Sequence, residues 1–430
     1  MENKILYNWK SWWRAFNNHN FFAIKLGVSI LLVALAFRIL FNRSLELSPV
    51  SETPFLESVA PLITVYSETR ADHISPQDNG AKCDLFDGDW IPDKTEPFYT
   101  NSTCEFIEQH QNCMKNGRPD RDYLYWRWKP RGCDLPRLDP WKFLDLMRNK
   151  SWALIGDSIS RNHVQSLLCM LSVVEKPDHV YHDEGYKNRR WVFPSYNFSL
   201  AVLWSPFLAQ AAIFEDINGV ASSEIELHLD KLDKNWTRQY NDLDYMILSS
   251  GKWFVKGSIY YENDQILGCH FCPKRNITEV EIKFAYRKVI RNVFSFIIAS
   301  KHKGIIFYRT STPDHFENGE WFSGGICERK LPARHGEFEL KELNRILRDV
   351  ELEEFEKVSP KAAENGVNLK LLDVNPLSLL RPDAHPGPYR FFQPFAKDKN
   401  AKVISDCLHW CLPGPIDTWN DLLMEMLVGG

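Results

Sequence analysis

Short apolar runs alternate with helical periodicity through the last two thirds of the chain. Five runs from residue 150 onward have the length of a strand, and the stretches beside them repeat apolar residues at helical spacing. This alternation predicts an α/β fold in which helices cover a parallel sheet. Ligands of such sheets bind beyond the carboxyl ends of the strands, so residues at strand ends are the candidates for chemistry. The runs are Ser151–Ile155, Leu200–Trp204, Tyr245–Ser249, Gly304–Tyr308 and Leu369–Val374, and the helical stretches are Ile159–Val173, Val280–Ile298 and the stripe of Leu343, Ile346, Leu347 and Val350.

An apolar segment near the N-terminus has the length of a membrane span. Residues 21–41 read FFAIKLGVSILLVALAFRILF, close to the roughly 20 residues that a bilayer needs. Lys25 and Arg38 lie near its ends, where long cationic side chains can reach the headgroups. A cleaved signal peptide and a buried core helix are the alternatives, but no small-residue cleavage site follows the segment. Basic residues in 1–20 predict a cytosolic tail there, and therefore a type II signal anchor.

The residues after this segment have the features of a lumenal chain. Residues 42–82 are rich in Pro, Ser, Thr and Glu without periodicity, which predicts an extended stem. Every cysteine lies at or beyond Cys83, as expected of disulfides in an oxidising compartment. Six glycosylation sequons agree with that compartment. They begin at Asn42, Asn101, Asn149, Asn197, Asn235 and Asn276.

The positions of the cysteines predict two regions in the lumenal part of the chain. Residues 83–150 hold four cysteines in a Trp-, Pro- and Gly-rich segment with little repeating pattern, which predicts a disulfide-stapled subdomain ahead of a core at 151–430. Cys269 and Cys272 have CxxC spacing. A local disulfide is favoured over a zinc or redox site, because no second CxxC and no histidine pair at finger spacing accompanies them. No metal is therefore expected.

Composition and charge exclude two broad classes of protein. The chain has 52 basic and 56 acidic side chains, a net charge of -4, so we expect no nucleic-acid partner. With 44% hydrophobic and 25% charged residues it can bury a sizeable core, which excludes a disordered chain.

The first candidate for chemistry lies where the first predicted strand meets a helix. The chain there reads ALIGDSISRN, with Gly156 allowing a sharp turn and Ser158 at the start of the helix. A serine in this position can expose its hydroxyl at the sheet edge, while the helix N-terminus faces a developing oxyanion. The alternative is that Ser158 only caps the helix, a common use of serine.

The second candidate is a DxxH pair near the C-terminus. Asp406 and His409 are three residues apart, so the carboxylate can hold the imidazole in one tautomer and stabilise its cation. Cys407 and Cys411 flank the histidine, where disulfides would fix its loop. A surface Asp–His pair is the alternative. Together with the strand-end serine of a lumenal chain, the pair predicts a Ser–His–Asp triad.

Longer motifs around these residues resemble a known family. GDSxxRN, DCLHWCLPGPIDTWN, CDLFDGDWIPD, YRTSTPDHFENGEW (308–321) and RPDAHPGPYR (381–390) are similar to the plant trichome-birefringence-like polysaccharide O-acetyltransferases, which include the powdery-mildew-resistance-5 type proteins. The resemblance runs from about Cys83 to Trp419. LSSGKWF and EWFSGGIC look most like members that act on xyloglucan or mannan.

The resemblance implies a GDSL/SGNH-hydrolase-like three-layer core and assigns roles to the motif residues. Ser158 is then the nucleophile, His409 the general base and later acid, and Asp406 the residue that orients His409. The implied oxyanion and substrate-binding residues are Gly156, Asp157, Arg161, Asn162 and Gly251. Two positions depart from many relatives: His163 replaces Gln, and Lys252 replaces His or Gln at a position expected to touch substrate or donor. His315, His385 and Asp383 lie in matching motifs without an assigned catalytic role.

The resemblance also implies an activity, acetyl transfer to a cell-wall polysaccharide in the Golgi membrane with the catalytic domain in the lumen. The expected partners are an acetyl donor such as acetyl-CoA, used as a co-substrate without any cofactor, and a hemicellulose acceptor, xyloglucan first and mannan or xylan as alternatives. An acetyl esterase and a non-catalytic binding protein for pectin or another wall polysaccharide are the other readings. Trp126, Trp128, Trp253 and Trp321 could stack on sugars or belong to the core.

Disulfide connectivity cannot be deduced from sequence alone. One arrangement would staple the N-terminal subdomain onto the core. It pairs Cys83 with Cys133, Cys104 with Cys169, Cys113 with Cys411, Cys327 with Cys407 and Cys269 with Cys272.

Overall fold

The computed structural model describes residues 83–215, 221–300 and 302–429. None of the helices in these ranges combines the length and the apolar character that a bilayer span requires. The predicted cytosolic tail (1–20), anchor (21–41) and stem (42–82) lie outside the described residues, as does the sequon at Asn42.

Strands and helices alternate along the described chain. The strands are β1 (Gly88–Pro92), β2 (Trp126–Pro130), β3 (Ser151–Gly156), β4 (Asp178–His182), β5 (Arg189–Phe193), β6 (Phe198–Trp204), β7 (Ala209–Ala212), β8 (Ile225–Leu232), β9 (Tyr245–Leu248), β10 (Ser258–Glu262), β11 (Gln265–His270), β12 (Ile305–Arg309) and β13 (Asn368–Leu372). The α-helices are α1 (Pro140–Leu146), α2 (Ser158–Leu171), α3 (Lys234–Thr237), α4 (Ile282–Ser300), α5 (Glu342–Glu364), α6 (Asn375–Leu379) and α7 (Ile416–Val428).

The main sheet has the strand order β13-β12-β9-β3-β6-β5-β4. Its first five strands run parallel and coincide with the five apolar runs, so the predicted α/β fold with a parallel sheet is confirmed for them. The sheet as a whole is mixed, because β5 and β4 continue it antiparallel. The sequence prediction missed both strands; β4, at the edge, is exposed along its length and shows no apolar run.

Helices cover both faces of the sheet. Successive residues of β3 point to opposite faces, so Trp152 and Leu154 enter one apolar core while Ala153 and Ile155 enter the other. Helices α2 and α7 pack in the first core, and α4 and α5 pack in the second. Burial on both faces explains why β3 is a continuous apolar run.

A second sheet lies outside the predicted pattern. Strands β11, β10, β8 and β7 form it in that order, with β8 and β10 parallel and the other pairs antiparallel. Alternate residues of β8 (IELHLDKL) are buried, so its period of two was a strand signal that the sequence prediction did not use.

The N-terminal segment shares the core of the main sheet. Strands β1 and β2 pair antiparallel, and Trp90 and Trp128 join the core that contains α2. Trp90 Nε1 also donates to the carbonyl oxygen of Leu377, 2.8 Å away. The segment therefore contributes to the same core as α2 and α7.

All five predicted disulfides are confirmed. The structure joins Cys83 to Cys133, Cys104 to Cys169, Cys113 to Cys411, Cys269 to Cys272 and Cys327 to Cys407. The CxxC pair is thus a local disulfide.

Candidate active site

The turn between β3 and α2 places Ser158 at the carboxyl end of the sheet. Gly156 ends β3 at φ 157°, where a Cβ atom would lie 2.4 Å from the carbonyl oxygen of Ser249, so this close approach requires glycine. Asp157 is the N-cap of α2, because its Oδ1 accepts a 2.9 Å hydrogen bond from the main-chain N–H of Ile159. Asp157 therefore caps the helix, and Ser158 is the first helical residue and is partly exposed.

The structure brings the serine, histidine and aspartate together as the sequence predicts. Ser158 Oγ lies 2.8 Å from His409 Nε2, and His409 Nδ1 donates to Asp406 Oδ2 over 2.8 Å. Asp406 Oδ1 accepts from the main-chain N–H groups of Leu408 and His409. Burial alone would raise the pKa of Asp406, but the imidazole of His409 and these hydrogen bonds hold it far below its ordinary value. The arrangement can remove a proton from Ser158 and stabilise the resulting imidazolium.

Asn162, a candidate oxyanion residue, braces the loop that carries His409. Its Oδ1 accepts from the main-chain N–H of Trp410 over 2.8 Å, and its Nδ2 donates to the Trp410 carbonyl over 3.3 Å. The side chain is buried. Asn162 thus fixes the distance between α2, with Ser158, and the residue that follows His409.

Arg161 lies on the first turn of α2 beside an indole ring. Its guanidinium carbon is 4.7 Å from the ring centre of Trp204, at the end of the neighbouring strand β6. Within the described ranges, its buried Nε has no hydrogen-bond partner. Burial lowers the pKa of Arg161, and nearby Glu108 opposes that effect. Arg161 therefore lies at the carboxyl edge of the sheet, stacked on Trp204.

Gly251 lies just beyond the end of β9, the strand next to β3. It precedes a short 3-10 helix (Lys252–Val255) at φ 146°, and a Cβ there would lie 2.9 Å from the Cβ of Ser311. Gly156 and Gly251 are thus two positions that require glycine, and both lie at the carboxyl edge of the sheet, where Ser158 also lies.

Lys252 is engaged within the protein. Its Nζ binds Asp314, 2.5 Å away, and the side-chain oxygen of Asn344. Burial alone would raise the pKa of Asp314, but Lys252 and Lys341 hold it below its ordinary value. The amine is thus held in an ion pair within the protein.

His163 has a structural place between helices. Its Nε2–H donates to Asn420 Oδ1 over 3.0 Å, and its Nδ1 accepts from Arg309 over 3.3 Å. Arg309 in turn donates to Ser249 Oγ. Burial holds the pKa of His163 well below its ordinary value, so the ring is neutral and connects α2, α7 and β12.

The N-terminal segment adds a histidine that the sequence prediction missed. The ring of His110 stands edge-on to that of His409, with 5.9 Å between centroids. Burial and the nearby His409 lower the pKa of His110 to about 4. Nothing in the local sequence around His110 indicates this contact, which joins distant parts of the chain beside the Cys113–Cys411 disulfide.

Only one of the four proposed sugar-stacking tryptophans is widely exposed. Trp128 is buried, Trp126 and Trp253 are partly buried, and Trp321 is 58% exposed beside Phe322, which is 72% exposed. The two exposed rings lie in a hairpin closed by the Glu317–Ile326 bridge. The Cys327–Cys407 disulfide ties this hairpin to the residue that follows Asp406.

Comparison with known proteins gives matches across the described chain. Residues 135–426 match the PC-Esterase model, described as the GDSL/SGNH-like acyl-esterase family found in Pmr5 and Cas1p, and residues 81–134 match the PMR5 N-terminal domain. Protein trichome birefringence-like 23 of Arabidopsis thaliana is 52% identical over 425 residues, 97% of this chain and 98% of that protein. Xyloglucan O-acetyltransferase 2 of Populus trichocarpa is 45% identical over 351 residues (80% and 82%), and Xyloglucan O-acetyltransferase 1 is 41% identical over 380 residues (87% and 88%).

Proposed function

Because the chain belongs to the GDSL/SGNH-like acyl-esterase family found in Pmr5 and Cas1p, with the trichome birefringence-like proteins among its relatives, we propose that it transfers acetyl groups to a hydroxyl of a cell-wall polysaccharide. The observation that carries the proposal is the hydrogen-bonded chain from Ser158 through His409 to Asp406 at the carboxyl end of β3. Xyloglucan is the proposed acceptor, since two relatives are named xyloglucan O-acetyltransferases.

The first step forms an acetyl-serine. His409 Nε2 takes the proton of Ser158 Oγ as the oxygen attacks the acetyl carbonyl of a thioester donor, for which we propose acetyl-CoA. The tetrahedral intermediate collapses, the carbon–sulfur bond breaks, and the leaving thiolate takes the proton from His409. Asp406 stays ionised and stabilises the imidazolium that forms between the two proton transfers.

The second step delivers the acetyl group. The sugar hydroxyl gives its proton to His409 and attacks the acetyl-serine, and the Ser158 oxygen leaves with the proton that His409 returns. We place the oxyanion of both steps at the N-terminus of α2 and the main-chain N–H of Gly251. The helix dipole favours negative charge at the first site, and Gly251 has no side chain to obstruct the second.

The exposed hairpin aromatics support a polysaccharide acceptor. Trp321 and Phe322 offer apolar ring faces to solvent, and the Cys327–Cys407 disulfide ties their hairpin to the loop that carries Asp406. Indole faces suit the apolar faces of sugar rings.

A deacetylating esterase is the second candidate function. The family description names acyl-esterases, and water in place of the sugar would turn the same two steps into hydrolysis. The assay below distinguishes the two functions by whether the acetyl group ends on sugar or in water.

We also propose that the protein is a single-pass type II protein of the Golgi membrane with its catalytic part in the lumen. The apolar segment at 21–41 and the basic residues before it support the anchor and its orientation. Five disulfides in the described residues support an oxidising compartment.

The test uses the full chain, produced in a eukaryotic secretory host so that disulfides form. The protein is incubated with isotopically labelled acetyl-CoA and deacetylated xyloglucan, mannan, xylan or pectin oligosaccharides. We expect label on xyloglucan, and its loss in Ser158→Ala. Ser195→Ala, an exposed serine whose hydroxyl makes no hydrogen bond within the described residues, is the matched control. Acetate release without glycan labelling would indicate the esterase, and equal labelling by Ser158→Ala would contradict the mechanism.

A further inference from the structure

A buried carboxyl group lies behind the glycine that we place at the oxyanion. Glu351 on α5 is inaccessible, and its two carboxyl oxygens lie 3.1 and 3.0 Å from the main-chain nitrogen of Ser311, which donates to them. Ser311 packs against Gly251, where a Cβ atom would lie 2.9 Å from the Cβ of Ser311. The two chemical steps above make no use of Glu351.

Tyr286 on α4 connects this carboxyl group to the peptide bond that carries the Gly251 N–H. The hydroxyl oxygen of Tyr286 is 2.6 Å from Glu351 Oε1 and 3.2 Å from the main-chain oxygen of Ser250. The hydroxyl of Tyr308 on β12 lies 3.3 Å from that of Tyr286. Within the described residues, the Ser250 carbonyl accepts from no other group, and the Gly251 N–H has no acceptor. Tyr286 is thus the group that can hold this peptide from the protein interior.

The peptide between Ser250 and Gly251 needs such support. It is trans, so its C=O and N–H point in opposite directions, and a bond to the buried carbonyl therefore fixes the direction of the N–H. Glycine restricts rotation of the peptide least, because it has no Cβ atom. If the Ser250 carbonyl loses its partner, the peptide can rotate and withdraw the N–H from the oxyanion.

The number of protons among these groups decides which contacts form. A carbonyl oxygen and a carboxylate oxygen both only accept, and the single hydroxyl hydrogen of Tyr286 can reach only one of them. A neutral Glu351 brings its own hydrogen, which it donates to the Tyr286 oxygen, and the Tyr286 hydrogen is then free to bind the Ser250 carbonyl. Tyr308 can donate to Tyr286 in either case. All the contacts are therefore complete only when Glu351 carries a proton.

We propose that Glu351 is a positioning residue that, in its neutral form, holds the Gly251 N–H in place through Tyr286. In this form Glu351 donates to Tyr286, and Tyr286 donates to the Ser250 carbonyl. When Glu351 loses its proton, Tyr286 turns its hydrogen to the carboxylate and releases that carbonyl. The inference rests on the proposed oxyanion role of Gly251.

The surroundings keep Glu351 protonated at neutral pH. Burial raises the pKa of Glu351 to about 8, although the hydrogen bonds from Tyr286 and Ser311 act in the opposite direction. Burial also raises the pKa of Tyr286 and Tyr308 well above the ordinary value, so both hydroxyls keep their hydrogens. The titratable and charged groups that face Glu351 are Tyr286 on α4, Tyr308 and Arg309 on β12, and Asp373 after β13 with its partner Arg348.

The two charges among these groups act on Glu351 in opposite senses. The carboxylate of Asp373 raises the pKa of Glu351 further. The guanidinium of Arg309 favours the ionised form, but it also donates to Ser249 and His163. Burial is the largest effect, so the neutral form prevails below a pKa of about 8.

This arrangement gives the transfer rate a specific dependence on pH. His409 must be unprotonated to accept a proton from Ser158, which makes the rate rise with pH on the acid side. The pKa of Glu351 is raised, so its proton and the support of Gly251 are present below that pKa and are lost as pH rises through about 8. kcat should therefore fall on the alkaline side. It should end at a lower plateau, because the triad itself remains in place.

The test compares variants of the full chain in the labelled acetyl-CoA assay across this range of pH. Glutamine has the shape of a neutral glutamic acid, and its amide N–H can donate to Tyr286 at every pH. We expect wild-type kcat to fall about tenfold on the alkaline side, and Glu351→Gln to lose this fall while its kcat at neutral pH stays within about threefold of wild type. Tyr286→Phe should lose about tenfold in kcat at neutral pH with little change in KM, because the Ser250 carbonyl then has no donor.

Glu356→Gln is the matched control, because Glu356 is an exposed glutamate on the same helix. It should retain the wild-type pH profile. An alkaline fall that persists in Glu351→Gln would overturn the proposal. A wild-type rate without such a fall, or wild-type kcat in Tyr286→Phe, would overturn it as well.

A second measurement needs neither activity nor a substitution. Wild-type protein is labelled with glutamate that carries ¹³C in its side-chain carboxyl group, and the carboxyl signals are followed by NMR across the same pH range. We expect one glutamate to be protonated at neutral pH and to ionise with a pKa of about 8. The absence of such a signal would overturn the proposal even if Glu351→Gln did not fold. A protein that shows this signal but has no transferase activity would contradict the proposed function and not the proton on Glu351.

Discussion

The two halves of the candidate active site are held in place by different means. Ser158 begins a helix that follows a central strand, and both elements are fixed by main-chain hydrogen bonds and packed in the core. His409 lies in a loop without regular structure, held by the Cys113–Cys411 and Cys327–Cys407 disulfides and by side chains such as Asn162. The difference teaches that a catalytic loop can be positioned accurately when cross-links and side-chain hydrogen bonds replace secondary structure.

This contrast implies that substitutions at the serine turn and substitutions in the supports of the His409 loop affect stability and rate differently. A defect at the serine turn disturbs a strand at the centre of the sheet, so its effect should appear in stability as well as in rate. A defect in the supports of the loop moves His409 relative to Ser158, and a misplacement of about 1 Å can cost about 100-fold in rate.

The largest effect is expected from the disulfide that joins the N-terminal segment to the loop. The double variant Cys113→Ser/Cys411→Ser should lose roughly 2–5 kcal/mol of stability and about 100-fold in kcat, because a long-range link and a support of His409 are both removed. Denaturant unfolding and steady-state transfer assays measure the two losses.

The matched control removes a disulfide that does not reach the loop. Cys83→Ser/Cys133→Ser should destabilise the N-terminal segment while kcat stays within about threefold of wild type, because both partners lie within that segment. A kcat loss equal to that of the first variant would show that the Cys113–Cys411 link acts only through overall stability.

A smaller effect is expected at the serine turn. In Gly156→Ala the new methyl group would meet the Ser249 carbonyl, so β3 and β9 must separate at their ends, at a cost on the order of 1–3 kcal/mol. Thermal unfolding measures that cost. Gly185→Ala is the control, because its Cβ would meet only the flexible side chain of Lys187. Equal stability of the two variants would mean that the turn tolerates a side chain.

The smallest effect on chemistry is expected at the exposed hairpin. Trp321→Ala should raise KM for long xyloglucan oligosaccharides by about tenfold and leave kcat nearly unchanged, because it removes a stacking surface without moving His409. Trp141→Ala is the control, since Trp141 on α1 is 57% exposed and belongs to neither the hairpin nor the loop. A kcat loss without a KM change would instead make Trp321 a support of the loop.

The sequence predicts the strands and the turn that carry Ser158 better than it predicts the contacts that hold the His409 loop. The five parallel strands are recognisable because burial on both faces makes them continuous apolar runs, and the Gly156–Ser158 turn follows one of them directly. The edge strand β4 escapes prediction because its exposed residues show no apolar run.

The supports of the catalytic loop depend on contacts that no local pattern reveals. Asn162 reaches Trp410 and His110 reaches His409 across large separations in sequence, and His385 reaches the His409 carbonyl from a separate motif. The disulfide pairs were predicted as an arrangement that staples the N-terminal segment onto the core. The family resemblance made Asn162 a candidate for the oxyanion site, but it did not reveal the contacts of Asn162 with the Trp410 backbone.

The most direct test of the central claim is to look for the acetyl-serine itself. The full chain is incubated with labelled acetyl-CoA without acceptor, quenched in acid and digested, and the labelled peptide is sequenced by mass spectrometry. The account predicts label on Ser158 that disappears when deacetylated xyloglucan oligosaccharides are added and appears on the glycan. Label on another residue, or transfer to glycan that proceeds undiminished in Ser158→Ala, would contradict it.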